Sequence, residues 1–246
     1  RKLRAAELPE LRSLRVTADL KNGFLALRPI DFGLAGGHVA GSFTLDGRQK
    51  PPAAITRLEF KDVRLERLLD RLSTEPAAAG PLSGYIDLKG RGTSVAKLVS
   101  GSSGSAGVTM EGGVISNLLD AKLGLNGGKI LRLLITGDRA IGVRRGVIAF
   151  DFEKGFGKSK TILLDTEQTQ TEGMGVIDLR DETVDILLTP HPKKASILAL
   201  RSSIRVHGPI RQPTISLQKK AEGAGAANRC SQFGHTSSRP ANSCLL

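Results

Sequence analysis

Residues 147–153 read Val-Ile-Ala-Phe-Asp-Phe-Glu, which is the clearest strand pattern of the sequence. Ile148, Phe150 and Phe152 occupy every second position, and small or charged residues lie between them. Successive side chains of a β-strand point to opposite faces of a sheet, so the alternation predicts a strand with one apolar and one polar face.

The same alternation recurs along most of the chain, with glycine turns between the alternating segments. Near one end, Val16 and Leu20 lie on the apolar side of a strand predicted over 14–20, and Asn22-Gly23 supplies a tight hairpin turn. Further strands are predicted at 24–27, 39–45, 84–89, 105–110, 114–115, 161–164, 173–179, 183–188, 203–206 and 214–217. Short strands spaced at about ten residues predict a mainly β fold, an antiparallel meander.

Three short segments carry helix signals. Residues 63–72 place apolar side chains broadly on one helical face, and Ser94 is a candidate N-cap for a helix over 94–99. Ser116 is a candidate cap for a third helix that starts at Asn117. We therefore expect a few short helices that interrupt the sheet or pack on it.

The composition changes near the C-terminal end. From residue 218 onward Ala, Gly, Ser, Asn and Pro dominate without periodicity, and both cysteines, Cys230 and Cys244, lie there. Such segments do not bury enough apolar surface to offset the entropy of ordering. We predict one β-rich domain over 1–217 and a disordered or incidental tail over 218–246.

The charge balance is strongly basic, with 36 Lys and Arg against 24 Asp and Glu and a net charge of +12. Such an excess attracts nucleic acid, anionic lipid or acidic proteins. Here the basic residues are spread singly or in pairs, and the chain has one Tyr and no Trp. Nucleic-acid grooves use aromatic side chains for base stacking, so we expect no nucleic-acid partner.

No stretch of the sequence is long and apolar enough to span a bilayer. The longest apolar run, 130–135, is interrupted by Arg132, whereas a membrane-spanning helix needs about 20 apolar residues. The chain begins with Arg1 rather than Met, so we treat it as part of a longer protein and expect any membrane anchor to lie outside it.

Motifs for catalysis, metals or cofactors are incomplete. Gly157-Lys158-Ser159 resembles the end of a phosphate-binding loop, but Phe152 stands where that loop needs its first glycine. The alternation that follows predicts a strand, and we expect 157–159 to form a hairpin turn. The four histidines have no His or Cys neighbour at metal-ligand spacing, and no carboxylate pair stands out. We predict no enzyme activity, no cofactor and no metal site.

The C-terminal third has a distinctive order of motifs. Residues 173–179 read Gly-Met-Gly-Val-Ile-Asp-Leu, Pro190 and Pro192 flank a histidine, and Gly208-Pro209 precedes Pro213. This order resembles the C-terminal region of the AsmA family. Together with glycine-rich hairpins upstream, the resemblance covers roughly residues 14–217. One departure is Pro209, where the family more often has a small hydroxyl residue.

The resemblance implies an inner-membrane anchor outside this chain, a position on the periplasmic side of a Gram-negative envelope, and a role in outer-membrane biogenesis. It also implies a β-structure curved into an elongated open groove that binds phospholipid or another acyl lipid. Periodicity alone fits this groove and a closed sandwich equally well, and the resemblance favours the groove. The groove-lining candidates are Val16, Leu20, Ile148, Phe150, Phe152, Ile162 and Leu164.

A second functional hypothesis fits the same sequence. An exposed sheet edge recruits strands from other proteins, so the domain could act as a scaffold that affects outer-membrane protein assembly, or targeting to the membrane, without carrying lipid. Outer-membrane assembly proteins would then be its partners. Both hypotheses stay open at the level of sequence.

Overall fold

A computed structural model describes residues 11–69, 78–115, 141–193 and 203–218. The strands are β1 (Leu11–Lys21), β2 (Phe24–Leu34), β3 (Gly37–Asp46), β4 (Ala53–Arg64), β5 (Ala78–Ala79), β6 (Pro81–Arg91), β7 (Ser103–Glu111), β8 (Val114–Ile115), β9 (Ile141–Glu153), β10 (Phe156–Thr166), β11 (Thr169–Asp178), β12 (Thr183–Pro192), β13 (Ser203–Pro209) and β14 (Thr214–Gln218). The helices are α1 (Leu65–Leu69) and α2 (Val95–Ser100).

The strands form one open antiparallel sheet that does not close on itself. Its order is β1-β2-β3-β4-β6-β7-β9-β10-β11-β12-β13-β14, and the short strands β5 and β8 pair with each other beside β9. Each long strand therefore lies next to the long strand that precedes it in sequence. The predicted mainly β, open antiparallel meander with a few short helices is confirmed. The closed sandwich is not the architecture of the described strands.

Strand β4 was not predicted, and the first helix begins later than predicted. Alternate positions of β4 include Ala54 and Thr56, which give a weak apolar contrast. Val63 was predicted to be helical, but it is a buried residue of β4 that pairs with Leu82 of β6. The helix α1 begins at Leu65, after the strand has ended. Residues 70–72 of the predicted helix lie outside the described part of the chain.

The second helix prediction is confirmed. The Ser94 side chain accepts a hydrogen bond from the Lys97 N–H at 3.2 Å, so it caps α2 as its sequence position indicates. The Gly101 N–H closes the other end by donating to the Lys97 carbonyl at 3.1 Å. The helix predicted after Ser116 and residues 219–246 of the predicted tail lie outside the described residues.

The Gly157-Lys158-Ser159 segment lies within strand β10 and is not the hairpin turn that we predicted. The turn is one step earlier, at Lys154 and Gly155, whose φ angles of 48° and 81° suit a tight hairpin. Phe156 pairs with Glu153 directly after this turn. Because a strand and not a helix carries these residues, the backbone geometry of a phosphate-binding loop is absent there.

Candidate functional site: the apolar face of the sheet

Strand register places the apolar residues of successive strands on one face of the sheet. Residues opposite each other in register share a face. One such row passes through Ile148 and runs without a break from β2 to β14. Its members are Phe32, Val39, Phe60, Gly84, Val108, Ile148, Ile162, Gly173, Leu188, Ile204 and Leu217. Neighbouring strands lie about 4.8 Å apart, so this row is roughly 50 Å long.

A second row passes through Phe150, two residues further along β9. From β1 to β10 its members are Val16, Ile30, Gly41, Leu58, Ile86, Ala106, Phe150 and Ser159. No member of either row carries a charge. We call the face of the sheet that bears the Ile148 row and the Phe150 row the apolar face, and the opposite side the polar face.

β-Bulges keep the apolar residues on this face where simple alternation would fail. In β2, Leu27 pairs with Phe43 and Ile30 pairs with Gly41. The two residues Arg28 and Pro29 of β2 therefore lie opposite a single residue of β3. A register slip of one residue turns every later side chain to the other face, whereas a bulge absorbs the extra residue locally. Leu27 and Ile30 therefore both lie on the apolar face although they are three residues apart.

Glycines on the apolar face lie beneath large neighbouring side chains. A Cβ added to Gly84 would lie 2.5 Å from the Phe60 ring, and one added to Gly157 would lie 2.5 Å from the Phe152 ring. At Gly173 an added Cβ would lie 2.6 Å from the Ile162 side chain. The apolar surface is thus continuous across these positions because an adjacent strand supplies the missing side chain.

The apolar face is partly open. Phe150 is 5% exposed and its ring centroid lies 6.2 Å from that of Phe152, so these rings pack tightly on the sheet. By contrast, Ile148 is 48% exposed and its cross-strand neighbour Val108 is 37% exposed. In the described part of the chain, each long strand makes its main contacts with its neighbours in the sheet. Ile148 and Val108 therefore mark an accessible apolar surface.

The seven predicted lining residues all lie on the apolar face, but they form two groups. Ile148, Phe150 and Phe152 of β9 lie beside Ile162 and Leu164 of β10. Val16 and Leu20 lie on β1, and five strands separate them from β9. The register extends the face to residues that the sequence analysis did not single out, such as Leu58 and Phe60 of β4 and Ile186 of β12. The alternation of Leu58 and Phe60 with charged residues in β4 was the sequence signal for these two residues.

The polar face carries cross-strand ion pairs. Arg205 donates to both carboxylate oxygens of Asp185, at 2.8 Å and 2.6 Å, and Arg57 lies 3.5 Å from Asp87. The hydrogen bonds and the positive charge of Arg205 lower the pKa of Asp185 below its ordinary value. Charge is thus concentrated on the side of the sheet opposite the two apolar rows.

One rim of the sheet carries an Asp–Arg–Phe arrangement at the β2–β3 hairpin. The Arg48 side chain donates to both carboxylate oxygens of Asp46, at 2.8 Å and 3.0 Å. The Arg48 guanidinium also lies 5.5 Å from the centre of the Phe24 ring. The hydrogen bonds from Arg48 lower the pKa of Asp46 strongly. Phe24 and Asp46 pair in register, so these contacts fasten the open end of the hairpin.

The β10–β11 hairpin repeats this arrangement at the same spacing. Arg180 donates to both carboxylate oxygens of Asp178, and its guanidinium lies 5.9 Å from the centre of the Phe156 ring. Phe156 and Asp178 pair in register, as Phe24 and Asp46 do. The hydrogen bond from Arg180 lowers the pKa of Asp178 to about 2. Both Asp–Arg–Phe clasps lie on the rim that also carries α2, which we call the α2 rim.

The residues that the structure describes contain no group of His, Cys, Asp or Glu that could hold a metal ion. They also contain no helix that is long and apolar enough to cross a membrane.

The fold and this face define a class of mainly β protein: an open antiparallel sheet with one continuous apolar side. Comparison with known proteins gives the family. The model of the AsmA family matches residues 2–162, and the chain belongs to that family. The family match ends before residues 173–213, which carry the most distinctive motifs of the resemblance.

A curated relative agrees with this assignment. The chain is 29% identical over 211 residues to the AsmA family protein YhjG of Escherichia coli (strain K12). The alignment covers 85% of this chain and 31% of the relative, so the chain spans about a third of the relative's length. No solved structure matches.

Proposed function

We propose that this chain is the acyl-lipid-binding part of an AsmA-like protein of a Gram-negative envelope, and that it carries phospholipid along the apolar face. An anchor outside residues 1–246 would hold it on the periplasmic side of the inner membrane, where it would serve outer-membrane biogenesis. The single observation that supports the proposal most is the uncharged Ile148 row, which continues from β2 to β14. Binding and passage of lipid require no chemical step, so this function is non-enzymatic.

Dimensions and energetics support this function. The Ile148 row is roughly 50 Å long, which exceeds the hydrocarbon thickness of a whole bilayer, about 30 Å. Each buried CH₂ group contributes about 0.8 kcal/mol, so a lipid loses much of its favourable environment wherever a lining is interrupted. An uninterrupted apolar row is therefore what a lipid needs to move along a sheet without crossing charged groups.

A pair of exposed residues tests the proposal with little risk to folding. Ile148 is 48% exposed on the apolar face, and Met174 is 63% exposed on the polar face, opposite Leu187. A photoreactive amino acid at Ile148 is expected to crosslink to phospholipid acyl chains in envelope membranes, and the same group at Met174 is not. Mass spectrometry of the crosslinked species identifies the adduct.

Lipid adducts at Ile148 alone support passage along the apolar face. Equal adducts at both positions, or none at either, contradict the proposal. The Ile148→Asn variant is further expected to lower the amount of lipid that co-purifies, whereas Met174→Asn is not.

The exposed edge strand supports a second candidate function. Leu14 is 63% exposed and Leu20 is 70% exposed on β1, and in the described sheet β1 pairs only with β2. In this alternative, an outer-membrane assembly protein adds a strand to β1 and the domain acts as a scaffold. Photocrosslinkers at Leu14 separate the two functions: capture of an assembly subunit without lipid at Ile148 favours the scaffold.

A further inference from the structure

A shallow basic cavity of about 420 Å³ lies at the α2 rim, outside the apolar rows. It is formed by the β3–β4 connection, the end of β6, α2 with the loops that flank it, and the β11–β12 turn. Pro51, Arg91, Thr93, Lys97, Ser100 and Arg180 line it, with two glycines. These segments are distant in sequence, and the fold brings three cationic side chains to one place.

Two of the three cations of this cavity, Arg91 and Lys97, are available to an anion. The lining contains no carboxylate. Within the described residues, neither Arg91 nor Lys97 forms an ion pair. Arg180 is held by Asp178 just outside the cavity, and its charge also interacts with that of Asp181. Asp178 therefore positions the Arg180 guanidinium, while Arg91 and Lys97 supply the uncompensated charge.

The cavity adjoins the apolar face. Gly90 pairs with Ala54 on that face, and a Cβ added to Gly90 would lie 2.2 Å from the Leu98 carbonyl oxygen of α2. The helix α2 therefore lies against the end of the apolar face, and Lys97 of this helix lines the cavity. A ligand with an anionic head and apolar chains can reach both surfaces at once.

We propose that this cavity binds the phosphate of a phospholipid headgroup while the acyl chains lie on the apolar face. The inference rests on the proposed lipid-binding function and adds a headgroup site to it. Guanidinium groups bind phosphate oxygens in a bidentate manner, and an ammonium group adds a compact positive charge. The hydroxyl group of Thr93 is a further donor in the lining, whereas the Ser100 hydroxyl donates to the Lys97 carbonyl of α2.

Three soluble probes separate the contributions of phosphate and acyl chains. Calorimetric titration measures the affinity for each probe. Dihexanoylphosphatidylglycerol carries both phosphate and acyl chains, dihexanoylglycerol carries the acyl chains alone, and inorganic phosphate carries no chains. The phospholipid is expected to bind the full chain at least tenfold more tightly than either other probe. The Arg91→Gln/Lys97→Gln double variant is expected to bind the phospholipid no better than dihexanoylglycerol.

The repeated clasp provides a matched control. Arg180→Gln and Arg48→Gln each remove the arginine of one Asp–Arg–Phe clasp, but only Arg180 lines the cavity. We expect Arg180→Gln to weaken phospholipid binding severalfold and Arg48→Gln to leave it unchanged. Equal weakening by both variants, or none from the double variant, overturns the headgroup site.

The remaining outcomes separate this inference from the function on which it rests. If inorganic phosphate binds as tightly as the phospholipid, the cavity is a site for free phosphate and the headgroup assignment is wrong. Dihexanoylglycerol that binds as tightly as the phospholipid also overturns the headgroup site but leaves the lipid-binding function intact. If neither acyl probe binds, both proposals fail.

Discussion

At the scale of single residues, Phe150 and Asp151 are adjacent in sequence but lie on opposite faces of β9. Phe150 is buried between Ala106 and Ser159, while Asp151 is exposed on the polar face. We expect Phe150→Asp to destabilise the domain by several kcal/mol, because a buried carboxylate loses its hydration. Asp151→Phe is expected to change the unfolding free energy by about 0.5 kcal/mol or less. Urea unfolding measures the unfolding free energy of both variants, and equal losses of stability would show that the assignment of faces is wrong.

The Asp178–Arg180 clasp predicts a pH dependence. Arg180 lowers the pKa of Asp178 to about 2, below the value of about 3.9 in an unfolded chain. A carboxyl group with a lowered pKa stabilises the fold at pH values above its unfolded pKa, and this contribution is lost as the pH falls toward 2. Part of the stability is therefore expected to disappear between about pH 4 and pH 2.

The measurement is the urea midpoint at pH 5 and at pH 2.5. Asp178→Asn is expected to reduce the difference between the two midpoints. Asp151→Asn, which alters an exposed carboxylate of the polar face, serves as the control. Arg180 is about half exposed, so solvent screening keeps the effect modest. An unchanged difference in Asp178→Asn would contradict the role of the clasp.

At the scale of strands, two glycines of the apolar face differ in the space around them. A Cβ at Gly146 would meet Met110 and Leu164 at ordinary contact distances of 3.5 Å and 3.6 Å. A Cβ at Gly175 would lie 2.3 Å from the Asp185 carbonyl oxygen on the next strand. That oxygen belongs to the backbone, so the two strands have to move apart to relieve the clash.

Alanine substitutions at these glycines therefore have opposite expected effects. Gly146→Ala is expected to stabilise the domain by about 0.4–1 kcal/mol, because it reduces the entropy of the unfolded chain. Gly175→Ala is expected to destabilise it by about 1–3 kcal/mol through overpacking. Thermal unfolding of both variants checks the prediction. Similar shifts in Tm for the two would contradict the observed register between β11 and β12.

At the scale of the whole molecule, the sheet formed by the described residues is open and leaves β1 as an edge strand. Leu14, Val16 and Leu20 are all exposed on it, and an edge with apolar side chains recruits further strands. We expect residues 1–217, expressed alone, to associate through β1 as the concentration rises. Val16→Lys is expected to reduce this association, because a charge on an edge opposes strand addition.

Sedimentation velocity over a range of concentrations measures the effect. Ser105→Lys adds the same charge to the polar face of the interior strand β7, between Asp87 and Asp151 in register, and serves as the control. The Ser105→Lys variant is expected to associate to the same extent as the chain without a substitution. A monomer at all concentrations, with β1 protected from hydrogen exchange, would show that β1 is not an available edge.

Local patterns in the sequence predict the strands with strong alternation, the cap at Ser94 and the apolar side of each predicted strand. These features depend on neighbouring residues, and local periodicity reports them directly. The prediction missed β4, where Leu58 and Phe60 alternate with charged residues but Ala54 and Thr56 contrast weakly with their neighbours. Pairing with β3 and β6 supplies the rest of the stabilisation of that strand.

Pairing between strands joins the separate apolar sides into rows and leaves the sheet open, and neither feature follows from local sequence. Register between strands depends on turns and on bulges such as the one at Arg28 and Pro29, which periodicity does not locate. The basic cavity is a further example, since Pro51, Arg91 and Arg180 meet only after the strands between them have paired. Contacts between residues far apart in sequence form through the pairing of whole strands, and no local pattern encodes them.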